Sequence, residues 1–380
     1  MDVEKPRRLL EMENKLELSD PSLQSENKDV PTIYGCPDNE FSAEADASSL
    51  YNAMKGLGTR EKAIIDLLTH RSSQQRRNIA GAYKKLYGKE LINAMKGELK
   101  ILISGHFEDV LIALLKPPEV YDAEQIHHAI HLPLTDEDMV INIVCTRNNV
   151  ELNAIKKAYT NLYDKDLALD ISSHVHSSTF FKNLITTTLA ANRDDDFDSE
   201  ENDLEHVMVA VEQAKWDARA LYDAGPKRWA SDSTFIPLFT GRGLVHLRVV
   251  IQELEKLLDM PLEKVLATHL HGDVEKFLER FVKFVKNKHA FFAEILYKSM
   301  KGLGTDNRKL IHTIVSRCEK DLDNIKQQFE AAYRKTLESF IIGDTSGYYK
   351  QILLALSGYV YQQSEEDIPD LSESDSEGDN

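Results

Sequence analysis

Four stretches of this chain are variations on one another, and that repetition limits the fold more tightly than any other feature. HRSSQQRRNIAGAYKKLYGKEL, TRNNVELNAIKKAYTNLYDKDL, GRGLVHLRVVIQELEKLLDMPL and SRCEKDLDNIKQQFEAAYRKTL align on Arg71, Arg147, Arg242 and Arg317. Eight positions on stand Ile79, Ile155, Val250 and Ile325; twelve on, Tyr83, Tyr159, Leu254 and Phe329; twenty on, Leu91, Leu167, Leu262 and Leu337. Offsets of eight and twelve return near one face of a helix, so these segments read as matching amphipathic helices. The chain is expected to be all-α, built from four copies of one helical unit.

The arginines are 76, 95 and 75 residues apart, so the middle interval carries an insertion. It coincides with NRDDDFDSEENDLE, residues 192–205, which contribute −7 of the net charge of −17. A block of like charge cannot bury apolar surface and reads as a solvated linker between two halves. Residues 361–380 contribute a further −8 with no Lys or Arg, and read as a disordered tail. The remaining body is close to neutral. It has no basic stripe for a phosphate backbone, which argues against nucleic acid, and it could not hold an anionic bilayer by lysine attraction alone. The N-terminal stretch is polar, carries Pro6, Pro21, Pro31 and Pro37, and reads as a mobile head. The division expected is head 1–43, repeats 44–116 and 117–191, linker 192–205, repeats 206–287 and 288–361, and tail 362–380.

Cys36, Cys145 and Cys318 are widely separated and form no CxxC pair, so neither a disulfide framework nor a structural zinc site is suggested. A cytosolic thiol is the default for Cys36, with cross-linking of two molecules through it as the alternative. No signal-peptide core and no apolar run of roughly 18 residues is present, so membrane contact would be peripheral. There is no nucleophile elbow, no HExxH and no recognisable Ser-His-Asp set, and the expectation is that the chain is not an enzyme.

The segment MKGLGT occurs twice, at Met54–Thr59 and Met300–Thr305, each between two helical patterns. Gly56, Gly58, Gly302 and Gly304 allow the backbone angles that turn several carbonyls toward one point. Thr59 and Thr305 suit the N-cap of the following helix. Carbonyl oxygens are hard ligands favoured by calcium, but they leave its charge uncompensated, so a carboxylate must come from elsewhere. Thirty-nine residues after Thr59 stands Glu98, and thirty-nine after Thr305 stands Asp344. A dinucleotide-binding reading of Gly-Leu-Gly fails for want of a preceding strand and a third glycine.

With this loop and this distant acid the chain resembles the annexin family over roughly residues 40 to 361. The resemblance implies four repeats of five helices, arranged as a slightly curved disc whose convex face carries the calcium loops toward a membrane. It implies one calcium site from the carbonyls of Met54, Gly56 and Gly58 with the Glu98 carboxylate, and another from Met300, Gly302 and Gly304 with Asp344. It also implies binding to anionic phospholipid of the phosphatidylserine type, a role in membrane organisation, aggregation or repair, and association on membranes. The expected location is cytoplasmic, and peripheral at the plasma membrane when calcium rises. A surface or secreted location without a signal peptide stays open. The competing class is a protein-interaction scaffold using the head or the acidic tail, where Ser364, Ser372, Ser374 and Ser376 lie among acids.

The copies are unequal. From the acid to the next glycine is three residues in the fourth repeat, Asp344 to Gly347, but seven in the first, Glu98 to Gly105, so LKILIS inserts residues beside Glu98 and leaves open whether that ligand is displaced. In the second repeat the loop reads IHLPLT, Ile130–Thr135, with His174 at the acid position. In the third it reads KRWASD, Lys227–Asp232, with His269 there. No family-type calcium site is expected in either. His174 with His176, His269 with His271, and His131 suggest a transition-metal site or a pH-sensitive membrane contact, against a bland reading as leftover polar residues. Trp216 is expected in the core, and Trp229 either in the core or inserted into a membrane. The four repeated arginines are expected to be structural, pairing with carbonyls or acids between helices.

Overall fold

An amphipathic stripe has to be buried against something, and in the computed structural model of this chain each repeat buries its stripe by folding into five helices. The structure describes residues 28–55, 60–102, 105–175, 178–194, 204–229 and 235–359, without the side chains of 98–102 and 204–208. The first repeat holds α1 (Ala43–Met54), α2 (Glu61–Thr69), α3 (Ser73–Tyr87), α4 (Leu91–Leu102) and α5 (His106–Leu115). The second holds α6 (Pro118–Ile130), α7 (Glu137–Thr146), α8 (Asn149–Tyr163), α9 (Leu167–His174) and α10 (Thr179–Leu189). The third holds α11 (Leu204–Ala224), α12 (Phe235–Gly241), α13 (Leu244–Leu258), α14 (Leu262–His269) and α15 (Asp273–Lys286), with a 3-10 turn at Pro226–Arg228. The fourth holds α16 (Lys288–Met300), α17 (Asn307–Arg317), α18 (Leu322–Tyr333), α19 (Leu337–Asp344) and α20 (Gly347–Leu356). Among the described residues there is no strand.

The start of each repeat's third helix explains why it begins where it does. Ser72 with Gln75, and Asn148 with Glu151, form reciprocal capping boxes that satisfy free backbone donors at both ends of the exchange. The aligned arginines precede these caps and are tied to acids. Arg71 donates to both oxygens of Asp46 at 2.6 and 3.0 Å, and Arg147 to both oxygens of Asp122 at 2.7 and 3.1 Å. Arg242 Nε lies 3.3 Å from Asp217. Each of these acids stands twenty-five residues before its arginine and ties the repeat's first helix to the turn before its third. In the fourth repeat that position is Phe292, whose ring centre lies 4.4 Å from the Arg317 guanidinium, and the carboxylate comes instead from Asp321, 2.7 Å from Nε. The arginines are structural, as expected.

The buried residues form two cores, and these do not divide the chain at its acidic insertion. One core draws on repeats 2 and 3, the other on repeats 1 and 4. The insertion therefore joins two repeats that share a core, where a linker between two halves was expected. Its first residues are held: Arg193 Nη1 donates to the Arg242 carbonyl at 2.6 Å, and Asp194 N donates to the Gly241 carbonyl at 2.5 Å. Residues 195–203 lie outside the described part.

The expectation of a mobile head also fails for its second part. Residues 28–36 form a strap across repeats 4 and 1. Val30 N donates to Asn324 Oδ1 at 2.7 Å, Thr32 Oγ1 to the Leu356 carbonyl at 2.6 Å, and Cys36 N to Gln75 Oε1 at 2.9 Å. Ile33 is buried in the shared core. A backbone that lacks a helix's own ladder must find its partners elsewhere, and here the Cys318 carbonyl at the end of α17 and the side chains of Asn324 and Gln75 supply them. Residues 1–27 and 360–380 lie outside the described part.

Candidate functional site

The fourth-repeat loop is described in full. Helix α16 ends at the buried Met300, and the chain turns through Gly302 at φ 114° and Gly304 at φ 91°, angles that a side chain with a Cβ rarely adopts. Between the two glycines Leu303 is held fully in solvent, at 109% relative exposure. The loop is closed beneath by the Asp306 N–H, which donates to the Ser299 carbonyl at 2.8 Å. Asp306, not Thr305, is the N-cap of the next helix, accepting from Lys309 N at 3.1 Å. Thr305 instead turns outward to the distant acid. Its hydroxyl donates to Asp344 Oδ2 at 2.5 Å, which brings together two residues separated by 39 positions.

Asp344 is the last residue of α19, with its carboxylate against the loop. The loop's far side is braced by Asn307, which donates to the Thr305 carbonyl at 3.2 Å and accepts from the Tyr349 hydroxyl at 2.8 Å. Burial first, then the charges of Asp109 and Asp344, push the Tyr349 hydroxyl well above its usual range, so it stays a neutral donor. Among the described residues no hydrogen bond goes to the carbonyls of Gly302 or Gly304. Carbonyl oxygens left without protein donors beside a carboxylate make an oxygen-only donor set, with the rest of the shell open to solvent. That set fits calcium, which takes six to eight oxygens and tolerates irregular geometry.

The first-repeat copy is described only in part. Met54 is buried at the end of α1, and Arg60 N donates to the Ala53 carbonyl at 2.9 Å, repeating the closure seen beneath the fourth loop. Gly56, Gly58 and Thr59 lie outside the described residues, as does the Glu98 side chain. The additional residues after Glu98 extend α4 to Leu102, whereas α19 stops at Asp344. Glu98 nonetheless occupies the eighth position of its helix, as Asp344 does of its own.

In the second repeat the loop frame persists without its glycines. Asp136 N donates to the Ala129 carbonyl at 3.0 Å, and Asp136 caps α7. His131 follows α6, His174 ends α9, and their rings lie 4.2 Å apart between centres. His176 lies outside the described residues. In the third repeat His269 and His271 belong to no group of metal-capable side chains found among the described residues. Trp229 is buried at 1% exposure, with its indole N–H donating to the Leu221 carbonyl at 3.0 Å, so of its two readings core packing holds. Trp216, expected in the core, is 71% exposed. Ala214, Ala218 and Leu221 take the buried stripe of α11 and leave Trp216 on its opposite side.

Among the described residues no helix is long and apolar enough to cross a membrane. The annexin family model matches residues 45–114, 121–186 and 291–356, which cover the first, second and fourth repeats. Annexin A13 of Canis lupus familiaris is 39% identical over 317 residues, covering 83% of this chain and 95% of that protein. The fold of annexin III is similar with a TM-score of 0.78 at 36% identity, over 87% of this chain and 98% of that one. Calcium-bound annexin (Sm)1 is similar with a TM-score of 0.75 at 27% identity, over 88% and 95% of the two chains. With its four five-helix repeats, its glycine loops and these relatives, the chain belongs to the annexin family, whose known features are calcium and phospholipid binding.

Proposed function

We propose that this annexin attaches to anionic phospholipid membranes through calcium held at two loops, one in the fourth repeat and one in the first. The reading is carried by the Thr305–Asp344 hydrogen bond, which sets a carboxylate against the loop that holds the Gly302 and Gly304 carbonyls. The carbonyls of Met300, Gly302 and Gly304 with Asp344 would hold the ion on its protein side. Bound there, calcium supplies a positive bridge to a lipid phosphate or carboxylate. Leu303, exposed at the loop's tip, is placed to enter the outer layer of a bilayer met by that loop. Met54, Gly56 and Gly58 with Glu98 are assigned to the second site on the matching sequence and the matching helical position of Glu98. The repeat limits that accompany this reading are 44–116, 117–191, 206–287 and 288–361.

So few protein ligands make a weak site alone, about 10⁻⁴ to 10⁻³ M by analogy with low-affinity calcium modules. Two sites on one rigid body gain avidity of order 10²- to 10⁴-fold when both can engage a surface. Sedimentation with phosphatidylserine vesicles tests the reading directly. The chain should pellet with vesicles in calcium and return to the supernatant when a chelator is added. Pelleting that ignores the chelator, or none in millimolar calcium, would overturn it.

A further inference from the structure

We propose that the second repeat carries a zinc site next to the segment that matches the fourth repeat's glycine loop, built from His127, His131 and Asp170 with His174 beside them. The donor atoms of His127, His131 and Asp170 all lie within 4.8 Å of one another. His174 Nδ1 is 3.4 Å from Asp170 Oδ1, and its ring adjoins that of His131. Two helices converge to make the cluster: α6, through its last turn and its C-cap, and α9.

The orientation of the rings supports metal binding more strongly than their proximity does. His131 Nδ1 lies 2.8 Å from the His127 carbonyl oxygen, and His174 Nδ1 lies 2.9 Å from the Asp170 carbonyl oxygen. A carbonyl can only accept, so in the neutral ring each Nδ1 carries the hydrogen and each Nε2 keeps its lone pair. A ring N–H tied to a backbone carbonyl is the outer-shell arrangement that orients metal-binding histidines. His127 completes the cluster, with a ring nitrogen within 4.8 Å of the donor atoms of His131 and Asp170. Its ring is fixed by stacking on Tyr163, with centres 3.7 Å apart.

Asp170 supplies the anion. It accepts from the Tyr159 hydroxyl at 2.6 Å and from Lys165 Nζ at 3.0 Å. The half-exposed Lys165 occupies the position a cation would share, and a bound ion would displace it from the carboxylate. Two imidazoles and one carboxylate match the N/O donors that zinc prefers in a three-ligand tetrahedral site whose fourth position is open, whereas calcium takes oxygens alone. Tetrahedral ligands at about 2.0–2.1 Å from an ion stand closer together than these atoms do. The exposed His131 would swing inward by roughly an ångström to close the shell.

The test is zinc titration of the full-length chain by calorimetry, with saturating calcium present so that the oxygen loops are occupied. The wild type should bind zinc at this site, His131→Gln should weaken it by more than the about 10-fold lower limit for losing an outer-shell partner, and His127→Gln with His131→Gln should remove it. Lys165→Ala keeps every ligand and removes the competing ammonium, so it should bind zinc more tightly than the wild type. Cobalt(II) in place of zinc should give visible bands that are lost in the double variant. No zinc uptake by the wild type would overturn the proposal, as would undiminished uptake by a double variant with unchanged helical circular dichroism, or unchanged affinity in Lys165→Ala.

Discussion

Repeats 4 and 2 share a loop frame and differ in nearly everything the frame holds. Both close beneath the loop by the same backbone bond, Asp306 N to Ser299 O at 2.8 Å and Asp136 N to Ala129 O at 3.0 Å. Both then cap the next helix with that same aspartate. Above the frame one has Gly302, Gly304 and Asp344, and the other has Leu132, Leu134 and His174 at the matching positions. The glycines are therefore not needed to join the two helices. In the proposed calcium site their positive φ angles would aim the carbonyls, so their loss can accompany the loss of the acid while the repeat still folds.

The two repeats are also locked to each other, and breaking that lock should have the largest effect. Asp122 accepts from Arg147 of its own repeat and from His312 Nε2 of the fourth at 2.7 Å, and all three residues are buried. Asp122→Ala leaves the Arg147 guanidinium buried without its carboxylate, and should cost about 3–5 kcal/mol. Denaturant unfolding would measure it; a loss below about 1 kcal/mol would mean that water or another acid replaces the carboxylate.

The same carboxyl predicts an acid limb in the stability curve. Burial acts to raise it, but the Arg147 charge and the His312 hydrogen bond prevail and hold it far below the usual range. Asp321, paired with Arg317 and His289, is lowered in the same sense against its own burial. Carboxyls depressed by folding stabilise fully above their unfolded value, about 3.9, and lose that contribution as pH falls toward the folded value. Stability should therefore drop below about pH 4, and Asp122→Asn should flatten that drop by up to one proton's worth of slope. An unaltered slope would assign the acid limb to other groups.

Function separates the repeats where stability joins them. If Asp344 holds calcium as proposed, Asp344→Asn should reduce calcium-dependent sedimentation with phosphatidylserine vesicles by roughly 10²-fold when both loops must engage. His174→Asn, at the matching position of repeat 2, should leave sedimentation in calcium unchanged. Equal losses in both variants would erase the distinction between the two loops.

The loop and its acid were legible because spacing is a property of sequence, and Asp344 stands against the fourth loop at the interval counted along the chain. What spacing cannot express is which repeats share a core. The acidic insertion at 192–205 stands out in composition, yet repeats 2 and 3 on either side of it share one core. The strap at residues 28–36 was hidden because its bonds are made by backbone, and only Ile33 marks it as buried. The acids paired with Arg71, Arg147 and Arg242 were readable, since Asp46, Asp122 and Asp217 each stand twenty-five residues ahead; Phe292 interrupts that pattern in the fourth repeat. Trp216 and Trp229 show the limit of periodicity. It places a residue on a helix, but the neighbours that cover one face decide which ring is buried.

The smallest predicted effect concerns how the two repeats end their third helix. Seventeen residues after each aligned arginine the backbone turns left-handed: φ is 68° at Gly88, 53° at Asp164, 53° at Asp259 and 59° at Arg334. The geometry is imposed by the stop itself, since the N–H of this residue closes the helix onto the carbonyl four residues back, Thr160 for Asp164 and Glu330 for Arg334. An L-residue there carries about 1–2 kcal/mol of steric cost, which a short polar side chain such as aspartate relieves by local hydrogen bonding and arginine does not. Arg334→Gly should thus stabilise the fold by up to about 1 kcal/mol, the gain being trimmed by glycine's greater freedom in the unfolded chain. Asp164→Gly should gain less. A higher denaturation midpoint for Arg334→Gly than for Asp164→Gly would support strain as the difference between the two stops, and a lower one would show that the Arg334 side chain stabilises the end of α18.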